Sequence, residues 1–200
     1  VRALFAAAVL ALSAGVAWAQ AGDPTEPVQG LDKALMAAMK SGAQPFPARY
    51  AALAPAVDHA FDLPQILKTV VGLRWSSIPA DQQAKLLAIF RAYTISSYAS
   101  NFNSDSGDVI KVLPETRSIG ADRVVETEIV PKAGDRVRLD YVMRQGPAGW
   151  RAVDVLEQAT ISQTAVQRSD FRSLVAGGAD KLIASLQGKL DTLSGGTIKP

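Results

Sequence analysis

The strongest constraint on this chain is a double change in its hydrophobic period. From Leu31 to Tyr98 apolar residues recur at spacings of three and four. Between Val109 and Leu156 they alternate, and from Thr164 to Leu190 the wider spacing returns. A period near 3.6 lays apolar side chains along one stripe of a helix; a period of 2 puts them on one face of a strand. Helices, then a run of strands, then helices again make an antiparallel sheet with the helices gathered on one face. The expectation is one α+β domain over residues 31–193, with a four-stranded antiparallel meander between N-terminal and C-terminal helices.

Leu31, Leu35 and Met39 predict a helix over Val28–Lys40, and Phe46, Tyr50, Leu53, Val57 and Phe61 predict a second. Asp62-Leu63-Pro64 reads as a sharp helix start, because Asp62 can accept from free backbone N–H groups and proline costs nothing in a first turn. Ile66, Leu67, Val70 and Val71 form that helix's apolar face, and Gly72 stops it. Pro79 opens the longest helix, to about Asn101. The strands are expected at Val109–Leu113, Arg123–Val130, Val137–Arg144 and Trp150–Leu156, with turns at Pro131–Asp135 and Gly146–Gly149. Glu126 and Glu128 then face Arg136 and Arg138 across a hairpin, a solvated sheet face whose pairs help fix register. Phe171, Leu174 and Val175, then Leu182, Ile183, Leu186 and Leu190, give two closing helices about Gly177-Gly178.

The ends carry a different signal. Arg2 precedes an uncharged run, Ala3–Val16, and Ala17-Trp18-Ala19 fits the small-x-small pattern of a cleavage site. Residues 1–19 are therefore expected to be a secretory signal peptide, 20–30 a linker and 194–200 a flexible tail. The apolar run is shorter than the roughly twenty residues a membrane span needs. No second run approaches that length. The chain has no cysteine, which leaves no disulfide, no thiolate metal ligand and no acylated lipoprotein cysteine. The expected location is the periplasm, as a free monomer.

The search for catalytic chemistry finds little. His59 is the single histidine, so neither a histidine metal cluster nor a serine triad has a natural framework. No phosphate loop or dinucleotide fingerprint is present. The net charge of +2, without a basic stripe interleaved with aromatics, argues against nucleic acid. Asp140 and Asp154 fall within strands, where a buried carboxylate can serve as a general base. A small enzyme using one of them is one alternative reading; a protein-binding adaptor with a filled core is another.

What remains is the apolar inventory. The sheet offers Val125, Ile129, Leu139, Tyr141, Met143, Val153 and Val155; the helices offer Leu67, Val70, Val71, Ile89, Phe90 and Tyr93. Either these faces fill one another as a core, or they enclose a cavity for an apolar ligand.

Several ordered segments bear on that choice. Phe61-Asp62-Leu63-Pro64 with Val71-Gly72-Leu73-Arg74-Trp75, Phe90-Arg91 with Tyr98-Ala99, and Val124-Val125-Glu126-Thr127 come first. Leu139-Asp140-Tyr141, Gly149-Trp150-Arg151-Ala152-Val153-Asp154-Val155, Arg168-Ser169-Asp170-Phe171 and Gly177-Gly178-Ala179-Asp180-Lys181-Leu182-Ile183 follow. Their order and spacing resemble the periplasmic phospholipid-binding proteins of the Mla pathway, the MlaC or toluene-tolerance family, including its hopanoid-associated HpnM branch. Ala159–Thr164 departs from the Gly and Asn-Tyr usual there. The resemblance implies an NTF2-like fold whose sheet and helices enclose an apolar cavity, lined by the residues named above. It implies no cofactor, but a bound lipid, either a phospholipid or a hopanoid-type lipid. It also implies transient partners: an inner-membrane ABC transporter complex and an outer-membrane lipoprotein complex.

Overall fold

A computed structural model describes residues 22–105 and 107–200. The expected signal peptide, residues 1–19, lies outside the described residues. The chain begins with α1 (Glu26–Lys40), α2 (Phe46–Ala60) and α3 (Leu63–Val71), continues through a 3-10 helix (Gly72–Ser77), and then forms α4 (Ala80–Asn101). The strands are β1 (Val109–Ile119), β2 (Asp122–Val130), β3 (Val137–Gly146), β4 (Gly149–Glu157) and β5 (Ile161–Ser162). Helices α5 (Gln163–Ala176) and α6 (Ala179–Ser194) close the chain.

The predicted local signals act as expected at α3. The Asp62 carboxylate accepts from the Gln65 N–H at 3.0 Å, Pro64 occupies the first turn, and Gly72 ends the helix at φ 69°. Among the described residues no helix is long and apolar enough to cross a membrane.

The domain ends differ from expectation. The stretch 20–30 is not all linker, because α1 already starts at Glu26 and buries Val28 completely. Nor is 194–200 a free tail. Gly195 takes the left-handed conformation after α6, and Ile198 then packs in a small cluster with Ala92 and Leu190.

The sheet is antiparallel in sequential order, β1-β2-β3-β4-β5, and so has five strands where four were expected. The fifth is two residues long, pairing Ser162 with Leu156 and Ile161 with Glu157. Gln158 and Ala159, both at positive φ, turn the chain back on β4 to make it. Strand β1 is much longer than the Val109–Leu113 expected. Pro114 lacks an N–H and marks a break, but β1 is an edge strand and absorbs it. Its pairing with β2 jumps from Val112–Thr127 to Thr116–Val125, the irregularity that proline requires at an edge.

A second bulge matters more. Val142 pairs with Asp154, while the next residue, Met143, pairs with Ala152. Val153 is the extra residue, and beyond it the inward and outward faces of β4 exchange. Ala152 thus takes the inner position opposite Met143 and reaches the main core, and its carbonyl accepts from the Asp62 N–H at 3.0 Å. The inner sheet face, Val125, Tyr141, Met143 and Ala152, packs with α1 through α4 and the buried sides of α5 and α6 in one cluster.

The polar sheet face holds the predicted pairs. Arg136 meets Glu128 at 3.3 Å and Arg138 meets Glu126 at 2.5 Å. Asp140 is fully buried beneath them. It accepts from Arg138 Nε and from Arg117 Nη2, each at 2.8 Å. Arg144, further along β3, grips Asp122 instead.

Candidate functional site

A cleft of about 450 Å³ opens where the N-termini of α3 and α5 meet α4 and the inner sheet. One stripe of α4 forms its longest wall: Phe90, Tyr93, Thr94, Ser97, Tyr98 and Asn101. These fall at spacings of three and four, so helical geometry puts them on one side. Phe61 comes from the link between α2 and α3, Leu63 and Ile66 from the start of α3, Leu139 and Val155 from the sheet, and Phe102 from just past the end of α4. Gln163, Thr164 and Gln167 of α5 form a polar lip.

The polar side chains along the wall are mostly already satisfied. Thr94 Oγ1 donates to the Phe90 carbonyl and Ser97 Oγ to the Tyr93 carbonyl, each at 2.9 Å. Such back-bonding turns the hydroxyl inward and leaves the carbon atoms facing out. Asp154 is engaged on both oxygens. Its Oδ1 accepts from the Val155 and Thr164 N–H groups at 2.8 and 3.0 Å, and its Oδ2 accepts from Ser162 Oγ at 2.5 Å. It pins the first turn of α5 to β4. Ser162 in turn caps α5 by accepting from the Ala165 N–H.

The aromatic floor is layered. Phe61 lies 5.8 Å from Tyr98 and 6.1 Å from Tyr141, ring centroid to centroid, in the range of tilted aromatic pairs. Burial pushes both phenol pKa values up, and the Asp32 carboxylate adds to the effect on each. Asp32, on α1, is itself buried with neither oxygen hydrogen-bonded. Desolvation pushes its pKa up from 3.8 to about 7. A second groove, about 670 Å³, lies between α4 and α6 and shares Tyr93, Ser97 and Asn101 with the first. Lys189 sits in it, 6.0 Å from the centre of the Tyr93 ring.

With that geometry in place, the MlaC family model, described as MlaC protein, matches residues 29–188. The chain belongs to the MlaC family. Its fold is similar to that of a phospholipid-binding protein from Ralstonia solanacearum, solved in complex with a phospholipid. The TM-score is 0.75 at 19% identity, covering 86% of this chain and 99% of that one. At that identity the likeness speaks to the fold, a mixed helical and antiparallel-sheet architecture that NTF2-like describes coarsely. No curated protein matches this chain in sequence.

For this MlaC-family chain, the residues expected to line the cavity divide. Phe90, Tyr93, Leu139 and Val155 do form its wall. Leu67, Val70, Val71, Ile89, Val125, Tyr141 and Met143 are packed in the main core. Ile129 is half-buried near the far end of β2, and Val153 is the bulge residue. Over most of their area the two apolar faces fill one another, and the opening is confined to one end. Phe61, Leu63, Ile66, Tyr98 and Phe102 were not expected at the site. Phe61 and Tyr98 had a signal, since both stand in segments that carry the family resemblance. The polar lip had none, because a two-residue strand and a side-chain cap build it. His59, at the end of α2, pairs with Glu26 at 3.0 Å on the surface.

Proposed function

We propose that this chain is a periplasmic lipid carrier, taking a phospholipid or hopanoid-type lipid with its hydrocarbon in the cleft and its polar head at the α5 lip. The observation that carries this reading is the cleft wall. It offers aromatic and aliphatic surface, and its polar side chains are largely spent on internal hydrogen bonds, so little is left to recognise a polar substrate. The phospholipid held by the Ralstonia solanacearum relative supports it. So does the cleft volume, which falls within the range of roughly 300–1,000 Å³ usual for ligand sites. Lys189 borders the groove that adjoins the cleft along Tyr93, Ser97 and Asn101. Seating hydrocarbon deeper than the cleft requires the α4 stripe to part from Leu139 and Val155.

The carrier reading includes export by a cleaved signal peptide and movement as a monomer. It also includes transient docking on an inner-membrane ABC transporter complex and an outer-membrane lipoprotein complex. It assigns no catalysis. Asp154 has both oxygens occupied, and Asp140 is held by two arginines on the opposite sheet face, so neither is a free base. The test is extraction of gently purified protein with organic solvent followed by mass spectrometry. Stoichiometric lipid is expected; its absence, together with no uptake from liposomes, refutes the carrier reading.

A further inference from the structure

Ile66 of α3 and Gln167 of α5 line the cleft. One turn further along the same two helices, about 5.4 Å, Val70 and Phe171 form the floor of a shallow depression edged by Arg74, Arg168 and Arg172. Leu73 projects beside it and is 95% exposed; the other exposed large apolar side chains among the described residues are at 43–49%. This is a built tip. The Ser76 and Ser77 hydroxyls donate to the Leu73 and Arg74 carbonyls at 3.3 and 2.7 Å. Gln83 of α4 donates to the carbonyls of Trp75 and Ile78, and the Ile78 side chain is anchored in the core.

Among the described residues, the charges around the tip form no ion pair. Arg91, Arg117, Arg136, Arg138 and Arg144 each hold a carboxylate. Arg74, Arg168, Arg172 and nearby Lys68 are exposed, and none forms an ion pair among the described residues. Asp170, the one carboxylate on α5, is about 200° around the helix from Arg168, on the far side.

We propose that this tip docks on an anionic lipid surface, with Leu73 entering the boundary between head groups and acyl chains and the arginines at the head-group phosphates. An apolar side chain ringed by cations is the pattern of interfacial binding. A fluid anionic layer can part around one protruding leucine, whereas a folded acidic partner needs a socket shaped for it. The docking site lies next to the cleft, and it rests on the carrier reading for its purpose.

The test is sedimentation of the processed chain with vesicles of phosphatidylglycerol and phosphatidylcholine in equal parts, against phosphatidylcholine alone. Binding to the anionic vesicles is expected, weakening as added salt screens the charges. Each arginine near such a surface contributes roughly fivefold, so the Arg168→Gln, Arg172→Gln double variant should bind about 25-fold more weakly. Leu73→Ser should bind on the order of tenfold more weakly while keeping the salt dependence. These positions are exposed, and circular dichroism checks that the variants fold. Equal binding to neutral vesicles, no binding to anionic ones, or folded variants that bind like the parent overturn the proposal. Parent protein that copurifies with lipid but ignores anionic vesicles overturns docking alone. Protein free of lipid that still binds those vesicles overturns the carrier reading alone.

Discussion

Asp32 makes the stability of this fold depend on pH in a direction opposite to that of a paired carboxylate. It is buried on α1 with both oxygens unpartnered among the described residues, near enough to Tyr98 and Tyr141 for its charge to raise their phenol pKa values. Its pKa is raised to about 7 from an ordinary 3.8, so between those values the folded chain holds a proton the unfolded chain has released. With more protons bound in the folded state, stability falls as pH rises. The loss starts near pH 4 and is complete just above pH 7. The pKa difference, at about 1.36 kcal/mol per pH unit, corresponds to a total of about 4 kcal/mol. Asp32→Asn removes the titration but leaves a buried amide, at a fixed cost of about 1–3 kcal/mol. Urea unfolding of parent and variant from pH 5 to pH 8 isolates the effect, because other titrating groups cancel in the difference. Whatever the offset between them at pH 5, the variant should gain on the parent by roughly 2–3 kcal/mol by pH 8. A difference that stays constant across that range refutes the argument.

Other substitutions probe the remaining parts. Tyr93→Glu puts a charge on the cleft wall, where it is costly beside hydrocarbon; copurified lipid should fall several-fold in folded protein, and full lipid content would place the cargo elsewhere. Asp140→Asn takes the buried carboxylate from Arg117 and Arg138, which keep Glu126, and should lower unfolding stability by about 2 kcal/mol, with lipid content per folded molecule unchanged. Asp62→Ala removes the cap of α3 and should cost about 1 kcal/mol, measured by urea unfolding.

Much of the fold was legible because its signals are local. Capping at Asp62, the stop at Gly72 and the alternation of β2 and β3 depend on residues close together in the chain, and each acts where expected. Tyr141 shows where legibility ended. Alternation puts it on the inner face, but both a core and a cavity have an inner face, and only the packing of α1 and α4 over it closes that position. A charge at Tyr141 would therefore test folding, whereas one at Tyr93 tests cargo. Val153 misled for a related reason. Strict alternation aligned it with Val155, but the bulge inserts it as an extra residue and gives the inner place to Ala152. Pro114 hid the second half of β1, because whether a strand tolerates proline depends on its being at an edge.

Local pattern alone, then, settled the order of the six α-helices and the four longer strands among the described residues, and the Glu–Arg pairs on the polar face of the central hairpin. Each follows from side-chain period, capping chemistry and turn residues, interactions that span few residues. The three-dimensional arrangement decided which apolar residues are walls and which are filling. It also decided that Asp32 is stranded without a partner, that Asp140 lies beneath Arg117 as well as Arg138, and that Leu73 stands out among unpaired arginines. Burial, pKa and the pairing of charges depend on what other elements bring within a few ångströms.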